Sequence, residues 1–509
     1  MDLTDPTTLE QWRRHLSGVV AGRKVICGVM PLAGMNDLVR LLADAGARKP
    51  LLAYSSPGAG PTITEDDAVL VQVDVAPHRT MTEELRAHDQ VLRSLPQTVR
   101  RQIDDYDPEH EALWFVGPFA GTEPVDGRAV LGGREPAWVA LEDKTVVDDL
   151  WDAVGQPRSP SQVVEVSPAL PGETSDRFDR GHGVVWVADA RDGFNGGGEF
   201  TRWVRTREER ARALAFFAGR ADRVRVMPFL EGVPCSIHGF VLPDGTAALR
   251  PVELAIMRGA GRRFLLGGQG TSWDPPEEDR IAMRHLVRRT GALLRDRVGY
   301  RGGFGIDGVL TADGFRPTEL NPRFSGGLAV QARAVDAALF HLLQLNLVAG
   351  RHPEVTADAF EAWALPALDA HRTVQARALA PQQLVEDSLE VGVQWDGHRL
   401  RPHAEGNMRL VVGRSPVGAF AKVDILEGTP LPGRVGPLNA ALVRFLDEEL
   451  DAGFGPVEPA PDVRRRGGPA DHDGRSTERS HDEQRDHDHR EVGHDLADAD
   501  LFGGQPTAR

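Results

Sequence analysis

Two carboxylates face each other across a predicted hairpin in the run GGFGIDGVLTADGFRPTELNPR. Alternating apolar and polar residues predict a strand on each side of an Asp-Gly turn signal. A three-residue loop that ends in a left-handed Gly314 places Asp307 directly opposite Glu319, and the two-residue period of a strand places Asn321 beside Glu319. Opposed like charges destabilise a hairpin unless a cation lies between them. Carboxylate and amide oxygens suit Mg²⁺, so the run predicts a magnesium site that binds a nucleoside triphosphate; two solvent-facing acids are the alternative.

Lys144 is a candidate phosphate contact. It stands at the predicted start of a helix, in EDKTVVDDLWDAVGQP, whose apolar residues recur at helical spacing and stop at Gly155. The helix dipole favours negative charge at this end, so a lysine there is better placed if it holds a bound phosphate. An exposed lysine without a ligand is the alternative interpretation.

A glycine-rich run follows a predicted strand in VVWVADARDGFNGGGEF. Glycine lets the backbone turn several N–H groups toward one anion and lets a loop close over a ligand. A plain flexible hairpin loop is the alternative. We predict that the loop binds phosphate through Gly193, Asn195, Gly196, Gly197 and Gly198.

Three arginines precede the hairpin in a glycine-bearing stretch: Arg258, Arg262 and Arg263. Clustered arginines make bidentate contacts with phosphate or carboxylate groups that lysine cannot make. A solvated face is the usual role of such a run. We select Arg258 as the catalytic candidate of the three.

These segments together resemble the ATP-grasp ligases. The pattern Glu-x-Asn-Pro-Arg after a strand, with an acid one hairpin upstream, is similar to the metal-binding end of that family, and the Asp-Lys pair before a helix is similar to its phosphate-binding segment. The resemblance implies that Asp307, Glu319 and Asn321 hold two Mg²⁺ ions against ATP, with Mn²⁺ as a substitute. It also implies that Lys144 contacts phosphate and that Arg323 helps to neutralise an acyl phosphate.

The run VRVMPFLEGVPCSIHGFV is similar to the strand that links the two halves of the ATP-grasp nucleotide cleft. The resemblance implies that adenine is held by backbone groups of Met227, Phe229 and Leu230, because Pro228 has no N–H group. Glu231 is then placed to bind a ribose hydroxyl. A buried strand without a ligand is the alternative.

The chain departs from the family pattern at one position. ATP-grasp enzymes usually carry a second phosphate-binding lysine on the strand before the glycine loop, and VVWVADA contains none. Either another cation supplies this charge or phosphate binding is weaker than usual. The candidates from the sequence are Arg202, Arg258, Arg262 and Arg263.

The order of the segments over residues 1–455 is similar to that of the peptide ligases of the pheganomycin biosynthetic type. This resemblance implies an ATP-dependent ligase that joins a small carboxylate, an amino acid or a derivative, to an amine or a peptide. The reaction passes through an acyl phosphate and releases ADP and phosphate. Two alternatives stay open: a carboxylase resembling biotin carboxylase, and a non-catalytic ATP-binding regulatory protein, which the absent lysine suggests.

The predicted fold class is α/β, with an α+β nucleotide domain. Alternating strand and helix patterns over residues 1–140 predict a domain with a parallel sheet and crossover helices, although it has no dinucleotide fingerprint. The resemblance implies that this is a Rossmann-like pre-ATP-grasp domain. An ATP-grasp domain is expected over residues 141–350, and a small strand-rich domain over 351–455. Residues 456–509 contain almost no large apolar side chains and are predicted to form a disordered tail.

Composition limits the other function classes. A chain of 509 residues is too long for one core, and its net charge of −16 argues against nucleic-acid and anionic-membrane partners. No apolar run reaches the roughly 20 residues that a membrane span needs. Cys27 and Cys235 lie in separate apolar runs, which favours a reducing compartment. We therefore expect a cytoplasmic enzyme that acts on small molecules.

Overall fold

The computed structural model describes residues 1–58, 61, 63–75, 80–189, 198–259, 263–415 and 417–464. Within these ranges, no helix combines the length and the hydropathy that a bilayer span requires. The N-terminal part contains, in chain order, α1 (Pro6–Ser17), β1 (Val25–Pro31), a 3₁₀ helix (Leu32–Met35), α2 (Asn36–Asp44), β2 (Leu51–Ser56), β3 (Val69–Gln72), α3 (Met81–Arg93), α4 (Gln97–Tyr106), β4 (Leu113–Phe115) and β5 (Val130–Leu131).

The five strands of this part form one parallel sheet in the order β3-β2-β1-β4-β5. The central strand β1 buries Val25, Ile26 and Cys27 in succession, as expected of a strand that is covered on both faces. The alternation of strands and helices in the sequence thus predicted the parallel sheet correctly. The loop between β4 and β5 carries Phe119 to the site described below.

A small lobe follows. It is preceded by α5 (Pro136–Val139), a 3₁₀ helix (Ala140–Glu142) and α6 (Val147–Ala153), and it consists of β6 (Gln162–Glu165), α7 (Leu170–Phe178), β7 (Val184–Ala188), β8 (Thr201–Val204), α8 (Arg207–Phe217) and β9 (Arg223–Pro228). Its four strands form an antiparallel sheet in the order β6-β9-β7-β8. Trp186, on one face of β7, stacks on Phe217 of α8.

The large lobe contains β10 (Val233–Val241), β11 (Thr246–Gly259), β12 (Arg263–Gly270), α9 (Glu277–Val298), β13 (Gly302–Thr311), β14 (Gly314–Asn321), α10 (Gly326–Val335), α11 (Ala337–Val348) and α12 (Ala357–Ala370). The C-terminal part contains β15 (Val374–Ala380), β16 (Ser388–Trp395), β17 (Leu400–Pro402), β18 (Met408–Ser415), β19 (Gly418–Ile425), α13 (Val435–Leu450) and β20 (Val457–Glu458). Asp336 separates α10 from α11, because it adopts an extended conformation and caps α11 through the N–H of Leu339 at 2.9 Å.

One antiparallel sheet joins these two parts, in the order β14-β13-β10-β11-β12-β15-β19-β18-β16-β17, with β20 added beside β11. The junction is the pairing of Gln269 and Gly270 in β12 with Gln375 and Val374 in β15. The helix α12 belongs to the core that also contains α11, since the rings of Phe340 and Phe360 lie 5.2 Å apart. The strand-rich part therefore begins at β15 rather than at residue 351.

The start of the predicted disordered tail at residue 456 is wrong. The strand β20 pairs with β11, and Arg464 forms an ion pair with Asp279 at 2.8 Å. The same arginine donates to the carbonyl oxygen of Ala312, in the turn of the predicted metal hairpin, at 2.8 Å. Trp273 also donates to Asp462 Oδ2 at 3.0 Å, and Val457 packs against the core of the C-terminal part. Contacts with other parts of the chain order this segment, and composition could not show them. Residues 465–509 lie outside the described part of the chain.

Candidate active site

The hairpin of β13 and β14 pairs Asp307 directly with Glu319, as predicted. The route to this pairing differs from the prediction. Thr311 pairs with Gly314, whose φ is +97°, so the loop has two residues rather than three. A bulge at Thr318 adds one residue to β14 and compensates for the shorter loop. From Glu319 onward the strands therefore pair in the predicted register.

The predicted metal ligands lie together on one face of the hairpin. The side-chain amide of Asn321 donates to Asp307 Oδ2 at 3.0 Å. Burial raises the pKa of Asp307 to about 7, and the negative charge of Glu319 adds to this effect, while Arg323 and Lys144 oppose it. In the described part of the chain no group of three or more His, Cys, Asp or Glu side chains could hold a metal. Two carboxylates and an amide nevertheless fit Mg²⁺, which commonly takes one or two carboxylates plus substrate phosphates.

A pH-dependent stability follows from this pair in the protein without metal. The folded protein keeps the Asp307 proton to a pH of about 7, whereas an ordinary aspartate loses it near 3.8, so stability falls as the pH rises through this interval. The isosteric Asp307→Asn variant has no such group. We expect the stability of Asp307→Asn relative to the wild type to rise by roughly 2 to 3 kcal/mol between pH 5 and pH 8, because only the wild type loses stability over this interval.

Urea denaturation in the presence of a chelator, at both pH values, measures this difference. The matched control is Asp313→Asn, which removes an exposed carboxylate from the turn of the same hairpin. An equal effect of Asp307→Asn at the two pH values would contradict the raised pKa of Asp307.

Arg323 connects the hairpin to a buried ion pair that the sequence analysis did not find. Its Nε donates to Glu142 Oε1 at 2.7 Å, and its terminal nitrogen donates to Asn321 Oδ1 at 2.8 Å. Glu142 also pairs with the buried Arg134 at 2.9 Å. Burial raises the pKa of Glu142, but the two arginines outweigh burial and the pKa is lower than usual. The guanidinium of Arg323 lies 4.7 Å from the ring centre of Phe119, so the N-terminal part also contacts this arginine.

Lys144 lies beside the hairpin that carries Asp307 and Glu319, but not at the start of a helix. The helix α6 begins at Val147, and Lys144 lies in the preceding turn, where Asp143 Oδ1 accepts the N–H of Thr145 at 2.8 Å. The predicted position of Lys144 at a helix start is therefore wrong, and the helix dipole does not act on it as expected. The buried ammonium of Lys144 lies 3.0 Å from Glu319 Oε1, within reach of any phosphate bound at the hairpin. A phosphate contact of Lys144 stays a prediction.

The predicted adenine strand is the end of β9 and the turn that follows it. Met227 pairs with Val185 of β7, and the N–H of Phe229 donates to the carbonyl oxygen of Gly183 at 3.0 Å. This bond occupies the backbone N–H of Phe229, so that group is not free to donate to adenine. The next backbone N–H along the chain is that of Leu230. The adenine contacts of Met227 and Leu230 stay predictions.

Glu231 and Arg258 pair with each other beyond the end of β9. Arg258 also lies 5.0 Å from the ring centre of Phe229. Val252 of β11 pairs with Ser236 of β10, and Ser236 pairs on its other side with Asp307. Arg258 lies six residues along β11 from Val252, so its backbone is about 20 Å along the sheet from that of Asp307. The structure thus brings Arg258 together with Glu231 and not with the hairpin.

Most of the predicted glycine loop lies outside the described residues, namely Gly193, Asn195, Gly196 and Gly197, and so does Arg262. Gly198 is described. It has a φ of +75°, and its carbonyl oxygen accepts the N–H of Thr201 at 3.0 Å, at the start of β8. The phosphate role of the loop is therefore a prediction.

No protein-family model matches this chain, and no curated protein is similar to it in sequence. Solved structures do match. The biotin carboxylase domain of the Hydrogenobacter thermophilus 2-oxoglutarate carboxylase, in complex with MgADP, ADP and bicarbonate, has 14% identity, covers 86% of this chain and 91% of its own, and has a TM-score of 0.51. A variant of Rhizobium etli pyruvate carboxylase has 16% identity, covers 83% of this chain and 37% of its own, and has a TM-score of 0.51.

An L-amino acid ligase from Bacillus licheniformis has 13% identity, covers 84% of this chain and 98% of its own, and has a TM-score of 0.47. Its score is too low for an argument from likeness. The two carboxylases share the fold of this chain, and at their low identity they show the fold alone. The predicted fold class is thereby confirmed: a mixed α/β protein with an ATP-grasp fold.

Proposed function

We propose that the protein is an ATP-dependent carboxylate–amine ligase that forms an amide or peptide bond through an acyl phosphate. The observation that carries the proposal is the pairing of Asp307 with Glu319. Asn321 donates to Asp307, Lys144 contacts Glu319, and Arg323 donates to Asn321. Two opposed carboxylates flanked by two cations suit the binding of a metal triphosphate better than they suit a stable hairpin.

The proposed chemistry is phosphoryl transfer followed by amide formation. A carboxylate oxygen of the substrate attacks the γ-phosphorus, and ADP leaves; an amine nitrogen then attacks the acyl carbon, and phosphate leaves with loss of a proton from nitrogen. Mg²⁺ held by Asp307, Glu319 and Asn321 would neutralise charge on the phosphate oxygens. Lys144 would bind a phosphate oxygen, and Arg323 would bind the acyl phosphate through its planar fork.

The finer proposal is a role in peptide natural-product biosynthesis. It is supported by the order of the segments, which is similar to that of the pheganomycin-type ligases over residues 1–455. The acid is then an amino acid or a derivative, and the acceptor is an amine or a peptide. We also propose a cytoplasmic location, because both ATP and such acids are present there.

A ligation assay tests the proposal. The purified protein is mixed with ATP, Mg²⁺ and a panel of amino acids, guanidino acids and amines, while ADP release and product mass are measured. We expect ADP release that requires both an acid and an amine, together with a product whose mass is the sum of the two minus one water.

The other outcomes of the assay separate the alternatives. ADP release that depends on bicarbonate and biotin would indicate a carboxylase. Tight ATP binding without ADP release across the panel would indicate a regulatory ATP-binding protein and would contradict the ligase.

A further inference from the structure

The strand β9 has two faces with different roles. Val224 and Val226 belong to a buried cluster with side chains of α8, which cover the outer face of the small lobe. Met227 belongs instead to a cluster with Val185 and Val187, against which Phe264 of the large lobe packs. Since side chains alternate along a strand, residues 223, 225 and 227 face the cleft between the two lobes.

Arg225 fixes the position of this face relative to the metal hairpin. Its terminal nitrogens lie 2.6 Å from Asp148 Oδ1 and donate to the carbonyl oxygen of Thr318 at 3.3 Å. Thr318 is the bulge residue directly before Glu319. Arg225 is fully buried, and its charge is matched by Asp148, so it links the small lobe to the hairpin but is not available to a ligand.

Arg223 lies two residues earlier on the same face, next to the start of the predicted glycine loop. Its backbone N–H donates to Asp189 Oδ2 at 2.8 Å, and Asp189 is the last described residue before that loop. Its guanidinium donates to Thr145 Oγ1 at 3.2 Å, and Thr145 directly follows Lys144. The contact is with a neutral hydroxyl, and within the described residues no carboxylate forms an ion pair with this exposed arginine.

Two of the four arginines that the sequence suggested for this role, Arg202 and Arg258, are placed differently. The guanidinium of Arg202 lies 3.6 Å from the ring centre of Phe216 on α8 and donates to the carbonyl oxygen of Thr201 at 2.9 Å. Arg258 pairs with Glu231 beyond the end of β9. Neither contact brings these two arginines to Lys144.

We propose that Arg223 binds the terminal phosphates of ATP together with Lys144, and supplies the positive charge that a lysine on the strand before the loop would otherwise supply. The inference rests on the proposed function, because it names the phosphate site of the same ATP cleft. Arg223 approaches this site from the adjacent strand β9, where its guanidinium contacts Thr145, the residue that directly follows Lys144.

Nucleotide binding, measured by calorimetry without turnover, tests the inference. The probes are a non-hydrolysable ATP analogue with Mg²⁺, and adenosine. We expect Arg223→Gln to weaken binding of the analogue by roughly 10- to 100-fold, the effect of losing one charge-assisted contact with phosphate. Binding of adenosine should not change. Arg223→Lys should retain most of the affinity for the analogue, because it keeps the charge.

Two control variants make the result specific. Arg212→Gln removes one exposed positive charge from α8 of the same lobe and should leave both affinities unchanged. Arg202→Gln tests the competing candidate from the sequence and should weaken binding of the analogue less than Arg223→Gln does.

The possible failures are distinguishable. Wild-type affinity of Arg223→Gln for the analogue overturns the inference and leaves the proposed function intact. An equal loss of adenosine binding also overturns it, because the arginine would then support the cleft rather than bind phosphate. A wild-type protein that binds no analogue overturns both proposals.

Discussion

Glu319→Gln is expected to abolish turnover while the protein still folds. The change keeps the shape of the side chain and removes the charge that would bind the metal. A metal that stabilises transition-state charge contributes several kcal/mol, and each 1.36 kcal/mol is tenfold in rate, so turnover should fall at least about a thousandfold. Lys144, whose ammonium lies 3.0 Å from Glu319 Oε1, would keep Asp307 as a nearby counter-charge, and the fold should be preserved.

The measurement is acid- and amine-dependent ADP release, with a thermal denaturation curve on the same sample. Asp313→Asn is the matched control, because it removes a carboxylate from the same hairpin at an exposed position. Ligation at the wild-type rate by Glu319→Gln would eliminate the metal assignment. Loss of activity in both variants would indicate damage to the hairpin rather than loss of a ligand.

The opposed carboxylates could be predicted because pairing in a hairpin is a local property. Strand alternation and a turn signal determine which side chains share a face, and the residue pattern of this hairpin shows both. The loop length was wrong, yet Asp307 still pairs with Glu319, since the bulge at Thr318 shifts the register by one residue. The face of the hairpin was therefore predicted correctly, while its local backbone was not.

The contacts of the cations could not be predicted because they depend on distant parts of the chain. Arg323 and Glu142 are separated by 181 positions, and the Arg223 contact with Thr145 spans 78. Arg223 resembles a solvated surface residue when only its neighbours in sequence are considered, and the Glu-x-Asn-Pro-Arg pattern indicated Arg323 but not its partner Glu142. Sequence spacing alone indicated Arg258, whereas the structure pairs that residue with Glu231.

Arg323→Lys is expected to lower turnover by about 100-fold while the affinity for ATP stays unchanged. The planar fork of Arg323 binds Glu142 at 2.7 Å and Asn321 at 2.8 Å at the same time, and a lysine ammonium cannot reproduce this geometry. Glu142 keeps Arg134 as a partner at 2.9 Å, so the variant does not leave an unpaired buried carboxylate. The protein should therefore fold, and Asn321 keeps its contact with Asp307 Oδ2 at 3.0 Å, so the metal ligands stay in place.

Separate measurements of nucleotide affinity and of turnover distinguish this role from a general defect. If Arg323 acts on the acyl phosphate, which forms only after ATP is bound, the loss appears in turnover and in the response to the acid, while analogue binding stays at the wild-type level. Arg316→Lys, on the same strand β14, is the matched control and should retain wild-type turnover. A variant Arg323→Lys that weakened analogue binding and turnover by the same factor would place this arginine on ATP itself. The two positive charges of the site would then both serve the nucleotide, and the acid would have to be bound by other residues.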